Sequence, residues 1–323
     1  MDKERVKGNG FEVEILGHSA SGIRDIDPDN PELKMADLAS ADALSRYTER
    51  ADAVDTLLSW VRGGREDEKV RAALLKMGEN LGRIIERLMD WSYWRNTEKV
   101  FIGGGLSEGA SGDVLIRQAE KHLSKVLDIS VDLRKIHYHP AVAGLVGSTY
   151  FLPREVKGEP SLTVDLGGGN LRTGLITSVP GPEQDPVHYS KLLNWRKLNL
   201  DRKSLVNLIA REILDCLKIG KEIGLKISKF GGLAIPALID EEGYVIGKDR
   251  NLPGDWTSPG FHLPSILEAE IEEKGFESIK FIARNDVVCQ GLSEIPFIEG
   301  VKEWGVLTVG TGLGNARFRN RKL

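Results

Sequence analysis

The apolar positions of this chain fall into two rhythms that alternate along its length. Residues 11–17, FEVEILG, read as a short strand. From Leu38 the spacing turns helical, and LASADALSRYTERADAVDTLLSWV predicts two consecutive helices. Beyond the GGRED break, Val70, Leu74, Met77, Leu81, Ile84 and Leu88 recur at intervals of three and four, which predicts a longer helix with a core-packing face. KVFIGGGLSEG (99–109) reads as a buried strand ending in glycines, residues 113–124 as a helix, and VDLRKIHYH as a strand. Pro140 suits the first turn of a small-residue helix, PAVAGLVGSTYFL. The polar PREVKGEPS then separates two apolar elements and reads as a linker.

The second half continues the alternation. TVDLGGGNLRTGL (163–175) is a strand, a glycine turn and a second strand. A helix follows around 202–223, then the strand FGGLAIPALID, a DEEG turn and the loop GKDRNLPGDW. A helix at 264–274, the strand SIKFIA, a helix from Asp286 to Glu294 and a last hairpin, WGVLTVGTGLGNARFRN, complete the chain. Strand and helix alternate, so the class is α/β. No repeat of solenoid length is present.

Composition narrows the partners. At 323 residues, 41% apolar and 28% charged, the chain has the make-up of a globular protein long enough for two domains. A net charge of −4 gives no reason to expect nucleic acid or an acidic membrane as partner. The one basic cluster, RFRNRKL, alternates as an exposed edge strand would. Two isolated cysteines, Cys216 and Cys289, make neither a disulfide framework nor a zinc knuckle and read as buried thiols. No apolar run is long enough to span a bilayer, and MDKERVKGNG lacks the hydrophobic core of a signal peptide, so the cytoplasm is the expected compartment.

Three turns pair a β-branched strand with clustered glycines: Gly103 to Gly105, Gly167 to Gly169, and Gly310 to Gly314. Glycine tolerates positive φ and lets backbone N–H groups approach an anionic phosphate closely. None of the three matches the P-loop or the dinucleotide fingerprint. Taken singly, each is as readily a bulge or a tight hairpin.

The order of the flanking motifs changes this. TVDLGGGNLRTGLI resembles the first phosphate motif of the ROK sugar kinases and, through DLGG and NLR, that of hexokinases. LAIPALIDEEGYVIGKDRNLPGDW resembles the ROK segment in which a proline-containing strand leads to an Asn-Leu-Pro-Gly-Trp-like loop. FIARNDVVCQGLSE resembles its catalytic Asn-Asp helix start, and VLTVGTGLGNA its second phosphate motif. The segments that follow these in the family resemble stretches of residues 1–152 here. EILGHS matches the Glu-x-Gly-His segment, ASADAL the Ser-Gly-x-Ala-Leu helix start, KVFIGGGLSEG the adenosine-site motif and AVAGLVGSTYFL the closing helix.

The resemblance thus covers nearly all the chain, in rotated order. It implies a circular permutation whose old ends are joined through residues 153–160. It also implies an actin-like (ribonuclease H-like) ATPase fold of two α/β domains. One would comprise 1–140 plus 295–323 and the other 141–294, with a cleft between them closing on sugar and ATP.

The implied activity is ATP- and Mg²⁺-dependent phosphorylation of a hexose hydroxyl, as in a glucokinase, with Asp286 as general base. Asn285, Asn251, Glu14 and His18 would hold sugar hydroxyls, since buried polar sugar groups need paired donors and acceptors. Asp165 would meet Mg²⁺ directly or through water. Gly167, Gly168, Gly169, Asn170 and Arg172 would cradle phosphate, as would Gly310, Thr311, Gly312 and Gly314. Gly103, Gly104 and Gly105 would lie against adenosine. Taken alone, the Asn285–Asp286 pair reads as a plain N-cap; the matching context favours catalysis.

Four departures from the family stand out. Its GGT is GGG here, so Gly169 lacks a threonine hydroxyl. Glu14 precedes His18 by four residues rather than three, a difference a bulge could absorb. No cysteine loop follows His18, so no zinc site is expected. The glutamate expected before the SADAL segment falls at Ala36, leaving the shorter Asp37 beside it, turned by about 100° on a helix. Gly169 and Ala36 motivate a second reading, a non-catalytic sugar sensor, and a third keeps the kinase but gives it an amino sugar. ROK repressors carry a helix-turn-helix, whereas only about ten polar residues precede the first strand here, so DNA binding is not expected. A homo-oligomer is compatible with all three.

Overall fold

Two mixed sheets carry the strands of this chain. The computed structural model describes residues 4–7, 11–19, 32–90, 94–126, 131–247 and 252–322. Asn251 lies outside the described residues.

The first strands are β1 (Arg5–Lys7) and β2 (Phe11–Ser19), followed by α1 (Met35–Leu38), α2 (Ala41–Thr48), α3 (Ala53–Val61) and α4 (Glu68–Met89). The two helices predicted from Leu38 onward form as α2 and α3, and the short α1 precedes them. Ala39 leaves helical geometry, and the extended Ser40 starts α2 afresh by accepting from the Ala43 N–H at 3.2 Å. The longer helix starts at a second cap, the Asp67 carboxylate accepting from the Val70 N–H at 3.0 Å. Its six periodic apolar residues are all buried.

Next come β3 (Lys99–Gly103), α5 (Gly109–Val126), β4 (Asp132–Lys135) and α6 (Ala143–Ser148). Gly78 and Gly82 of α4 meet α5 so closely that a Cβ there would lie 2.6 Å and 2.7 Å from the Cβ atoms of Gln118 and His122. The remaining elements are β5 (Pro160–Leu166), β6 (Asn170–Thr177), β7 (Val187–Asn194), α7 (Arg202–Glu222), β8 (Phe230–Ile235), α8 (Leu263–Glu273), β9 (Lys280–Asn285), α9 (Asp286–Leu292), β10 (Glu303–Val309) and β11 (Leu313–Lys322). β7 is not foreseen by the hydrophobic pattern. No helix among the described residues is long and apolar enough to cross a membrane.

By contact the chain divides into two compact units, one of Met1–Arg5, Glu12–Pro140 and Gly300–Leu323, the other of Val6–Phe11 and Ala141–Glu299. In the second unit the sheet order is β7-β6-β5-β8-β9. β5 pairs antiparallel with β6 and parallel with β8, and β8 pairs parallel with β9. The other sheet runs β1-β2-β11-β10-β3-β4. There β10 pairs antiparallel with β11 and parallel with β3, and β3 pairs parallel with β4. Read from β10 and continued at β2, this is the same topology a second time. It is the ribonuclease H-like sheet of the actin-like fold.

The RFRNRKL segment departs from its expected edge position. β11 lies inside its sheet, between β2 and β10. Its arginines are held by carboxylates of the flanking strands: Arg317 pairs with Glu303, Arg319 with Glu303 at 2.8 Å, and Arg321 with Glu14 at 2.8 Å. Charge that marks an edge in an isolated strand is here neutralised in place. Cys216 and Cys289 are both free and buried.

Candidate active site

The second unit builds its polar centre on the face of β5 that its core leaves over. Side chains alternate along a strand. Leu162, Val164 and Leu166 enter the apolar cluster with α7 and α8. Ser161, Thr163 and Asp165 therefore take the opposite face, fully buried. There α6 lies against the strand, and a Cβ on Gly144 would sit 2.6 Å from Asp165 Oδ2. A side chain at residue 144 would occupy the space the carboxylate uses.

Asp165 faces Arg172 across the β5–β6 ladder, and the Arg172 guanidinium donates to Asp165 Oδ2 at 3.0 Å. Asp165 Oδ1 and Arg172 Nε are buried and have no hydrogen-bond partner among the described residues. Native interiors seldom leave such atoms unpaired. A buried carboxylate oxygen without a donor suits a cation or the water bound to one. Among the described residues no group of three or more His, Cys, Asp or Glu converges, so Mg²⁺ here would draw its other ligands from phosphate and water, as that ion ordinarily does.

The glycine turn between these strands is held from behind. Trp195 Nε1 donates to the Gly167 carbonyl at 3.0 Å, and the Arg196 side chain to that of Gly168 at 3.2 Å. The Arg196 N–H takes the Gly169 carbonyl at 3.3 Å. With its carbonyls turned to Trp195 and Arg196, the turn leaves the N–H groups of Gly168 and Gly169 without acceptors among the described residues. Neither φ is positive here, so these glycines serve close approach and not a left-handed turn. Asn170 begins β6, and its carbonyl takes the Gly167 N–H at 2.9 Å.

At the end of β9, Asn285 is the N-cap of α9. Its Oδ1 accepts from the N–H groups of Val287 and Val288 at 3.0 Å and 3.2 Å, and its Nδ2 donates to the Ala237 carbonyl at 3.0 Å. The structure thus spends most of this amide on positioning, with one N–H left over. Asp286, the first residue of α9, accepts from the Val287 N–H at 2.9 Å. Burial raises its carboxyl to about 7, and the nearby charge of Asp165 adds to the rise against the weaker pull of the Val287 N–H and of Arg172. Asp286 keeps a little exposed surface, so the cause is the surrounding protein and not complete sealing. Burial also raises Asp165, opposed by Arg172. Since the guanidinium bonds directly to Asp165 and not to Asp286, Asp165 is the more acidic of the two.

In the first unit, two glycine turns meet at the C-terminal ends of the parallel pair β3 and β10. Gly103 and Gly314 lie within the ladder, both partnered by Thr308, and so stand behind the turns and not in them. Gly104 adopts φ 84°, and a Cβ there would come within 2.5 Å of the Val309 carbonyl oxygen. Only glycine fits this crossing. A Cβ on Gly105 or Gly310 would meet no atom within 4 Å, which leaves their backbone open. Gly310 closes its turn by donating to the Gly312 carbonyl at 2.9 Å, and its own carbonyl accepts from the Ala41 N–H at 2.8 Å. Thr311 and Gly312 are half-buried beside it.

Three expected sugar ligands are otherwise engaged or less exposed to charge. Glu14 is buried in the ion pair with Arg321, with Arg319 at 3.8 Å. Asp37 accepts from the Lys34 N–H at 2.9 Å and caps α1. Both carboxylates satisfy their own sheet or helix before any ligand. His18 is half-buried on β2, and burial lowers its pKa, so the imidazole is neutral at pH 7. Sequence reasoning missed Gly144, Trp195 and Arg196. Gly144 is marked only by the small-residue character of its helix, and nothing local distinguishes the other two.

No protein-family profile matches the chain, and no curated protein matches it. Among solved structures it is similar to a protein from Cytophaga hutchinsonii assigned as a sugar kinase, at 25% identity over 49% of this chain and 47% of that one, with a TM-score of 0.36. It is similar to the inorganic polyphosphate/ATP-glucomannokinase of Arthrobacter sp. strain KM, at 18% identity over 49% and 58%, with a TM-score of 0.39. An exopolyphosphatase-like protein aligns at 11% identity over 74% and 87%, with a TM-score of 0.34. The chain spans about half the length of the two kinases. The overlaps are partial and the scores low, so the chemistry below rests on the residues of this chain.

Proposed function

We propose that this protein is an ATP-dependent sugar kinase of ROK type that phosphorylates a hexose hydroxyl. One observation carries the reading. Asp286, at the mouth of α9, holds a carboxyl raised to about 7 by burial and by Asp165. A base with that pKa accepts a hydroxyl proton efficiently at neutral pH.

In the proposed reaction Asp286 takes the proton of the acceptor hydroxyl as its oxygen bonds to the γ-phosphorus. The bond from that phosphorus to the bridging oxygen breaks, and ADP leaves with the electron pair. The free N–H groups of Gly168 and Gly169 would donate to phosphate oxygens. Asp165 would hold Mg²⁺, directly or through water, and the ion when bound would neutralise phosphate charge. Arg172 opposes the rise that burial imposes on the Asp165 carboxyl and so favours its charged form. Asn285 fixes the start of α9 and so aims Asp286. Gly104, Gly105 and the turn at Gly310 offer uncharged backbone to the nucleotide.

The topological repeat supports a rotated chain order. The sheet that begins at β10 takes its second strand from β11 and its third, fourth and fifth from β2, β3 and β4. A single cut between strands two and three of an ordinary order, with the old ends joined through 153–160, gives this arrangement.

ADP release measured over a panel of hexoses and N-acyl amino sugars tests the function. At least one sugar is expected to stimulate turnover, and Asp286→Ala to abolish it with sugar binding retained. Turnover that no sugar stimulates, or that survives Asp286→Ala, would refute the reading.

A further inference from the structure

Away from the glycine turns, the first unit holds a cavity of about 470 Å³ between α2 and α4, lined by Arg46, Tyr47, Glu49, Lys69, Lys76 and the small floor of Ala72 and Ala73. Three cations face one acid. Lys69 and Lys76 are seven residues apart on α4, about 10 Å along the axis and close to one face. Neither has a carboxylate partner among the described residues. Lys76 instead rests over the Tyr47 ring at 4.3 Å. Lys69 stands in the first turn of α4, where the helix dipole disfavours a cation. Two unpaired ammonium groups at that spacing, over a floor of alanines, leave room for a ligand that brings both negative charges.

The walls of this groove hold the segment that carries the Gly310 turn. Arg46 donates to the Asp37 carbonyl, and the Tyr47 hydroxyl to the Leu38 carbonyl at 3.3 Å. Asn80 of α4 donates to the same carbonyl at 3.3 Å and to the Tyr47 oxygen at 3.0 Å. Three residues on, the Ala41 N–H donates to the Gly310 carbonyl. An anion that engages Arg46 draws it from the Asp37 carbonyl and so bears on the turn through one short, hydrogen-bonded path.

We propose that this groove is a regulatory site for an elongated organic polyanion of the bisphosphate class, with one phosphate at each lysine, whose occupancy changes nucleotide affinity through the α1–α2 junction. The binding stands on its own observations, and the regulatory half rests on the nucleotide role proposed for the Gly310 turn.

Calorimetric titration of the whole protein tests it, with fructose 1,6-bisphosphate as probe and fructose 6-phosphate for comparison. The bisphosphate is expected to bind at one site, and the double variant Lys69→Gln, Lys76→Gln to weaken it at least about tenfold, as the loss of two exposed charge pairs does. Both lysines are exposed, so the variant keeps the fold, which circular dichroism checks. Absent binding, equal binding of both sugar phosphates, or binding indifferent to the lysines overturns the site. Saturating probe is further expected to change the directly measured ATP affinity by about fivefold, the low end of ordinary coupling, and Tyr47→Phe to remove that change while keeping the probe bound. Unchanged ATP affinity overturns the regulatory role. If ATP does not bind at all, the kinase reading fails while the first titration still decides the groove.

Discussion

Asp286→Asn separates two consequences of burying a carboxyl group beside Asp165. The folded pKa is raised from 3.8 to about 7, so between these values the folded protein holds a proton that the unfolded chain has released. The stability linked to this group is therefore full below about pH 4, falls through the window and is lowest above 7. At about 1.4 kcal/mol for each pH step, the whole rise corresponds to about 4 kcal/mol. Asp286 keeps some solvent contact, and screening of that kind brings the expectation to about 2 kcal/mol. Asparagine retains an oxygen for the Val287 N–H but has no charge to bury. Thermal unfolding at pH 8.5 should show the variant more stable, by about 4–8 °C for a unit of this size. At pH 4.5, where Asp286 is already protonated when folded, the two proteins should melt together. The same variant should lose phosphoryl transfer, because an amide takes no proton. A variant less stable than the parent at pH 8.5, or one whose advantage is the same at both pH values, would refute the account of the carboxyl's environment.

The same carboxyl sets the rate profile: kcat/KM should fall about tenfold per pH step below about 7, and a limb near 4 would dismiss Asp286 as the base. Arg172→Met removes the opposing charge from both carboxylates and should move that limb upward. It also leaves buried Asp165 unpaired, a loss of about 3–5 kcal/mol in denaturant titration. Gly144→Ala drives a Cβ to within 2.6 Å of Asp165 Oδ2 and should cost about 1–3 kcal/mol, with a rise in the Mg²⁺ needed for half-maximal activity. A variant with unaltered Mg²⁺ dependence would detach Asp165 from the metal.

The helices and hairpins were legible where period or glycine marked them. The apolar rows of α4 recur over twenty-two residues, long enough to fix its period. α1 spans four residues, too few for any period, and exists because Asp37 caps it. β7 escapes notice because its half-buried and exposed positions carry similar mixtures, with Leu192 among the exposed. The interior place of β11 depends on Glu14 and Glu303, hundreds of residues away from or on the strand beside its arginines. Site residues divide on the same line. A motif can name Asp165, Arg172 and Asp286, but whether a carboxylate is left for a ligand depends on its neighbours. Glu14 and Asp37 are claimed by Arg321 and by a helix end, and Asn285 by the cap it forms.

Because the two sheets repeat one topology, corresponding positions can be compared directly. Asp165 stands one pair before the end of the β5–β6 ladder, opposite Arg172 and beside Ala234 of β8. The matching position of the other sheet is Thr308, opposite Gly314 and beside Gly103 of β3. One copy thus carries a buried ion pair, where the other carries a hydroxyl between two glycines. The turns that follow differ in the same sense: Trp195 and Arg196 hold the carbonyls of Gly167 to Gly169, while Gly310 closes on Gly312 by its own backbone. At this ladder position and the turn beyond it, one unit presents buried charge and the other neutral, unobstructed backbone. In open α/β sheets ligands gather where neighbouring strands diverge at their carboxyl ends, and among the described residues β5/β8 and β10/β3 are the two places where that occurs. Duplicated topology supplies both places, and the residues at one ladder position decide that only the first holds a buried carboxylate paired with a guanidinium.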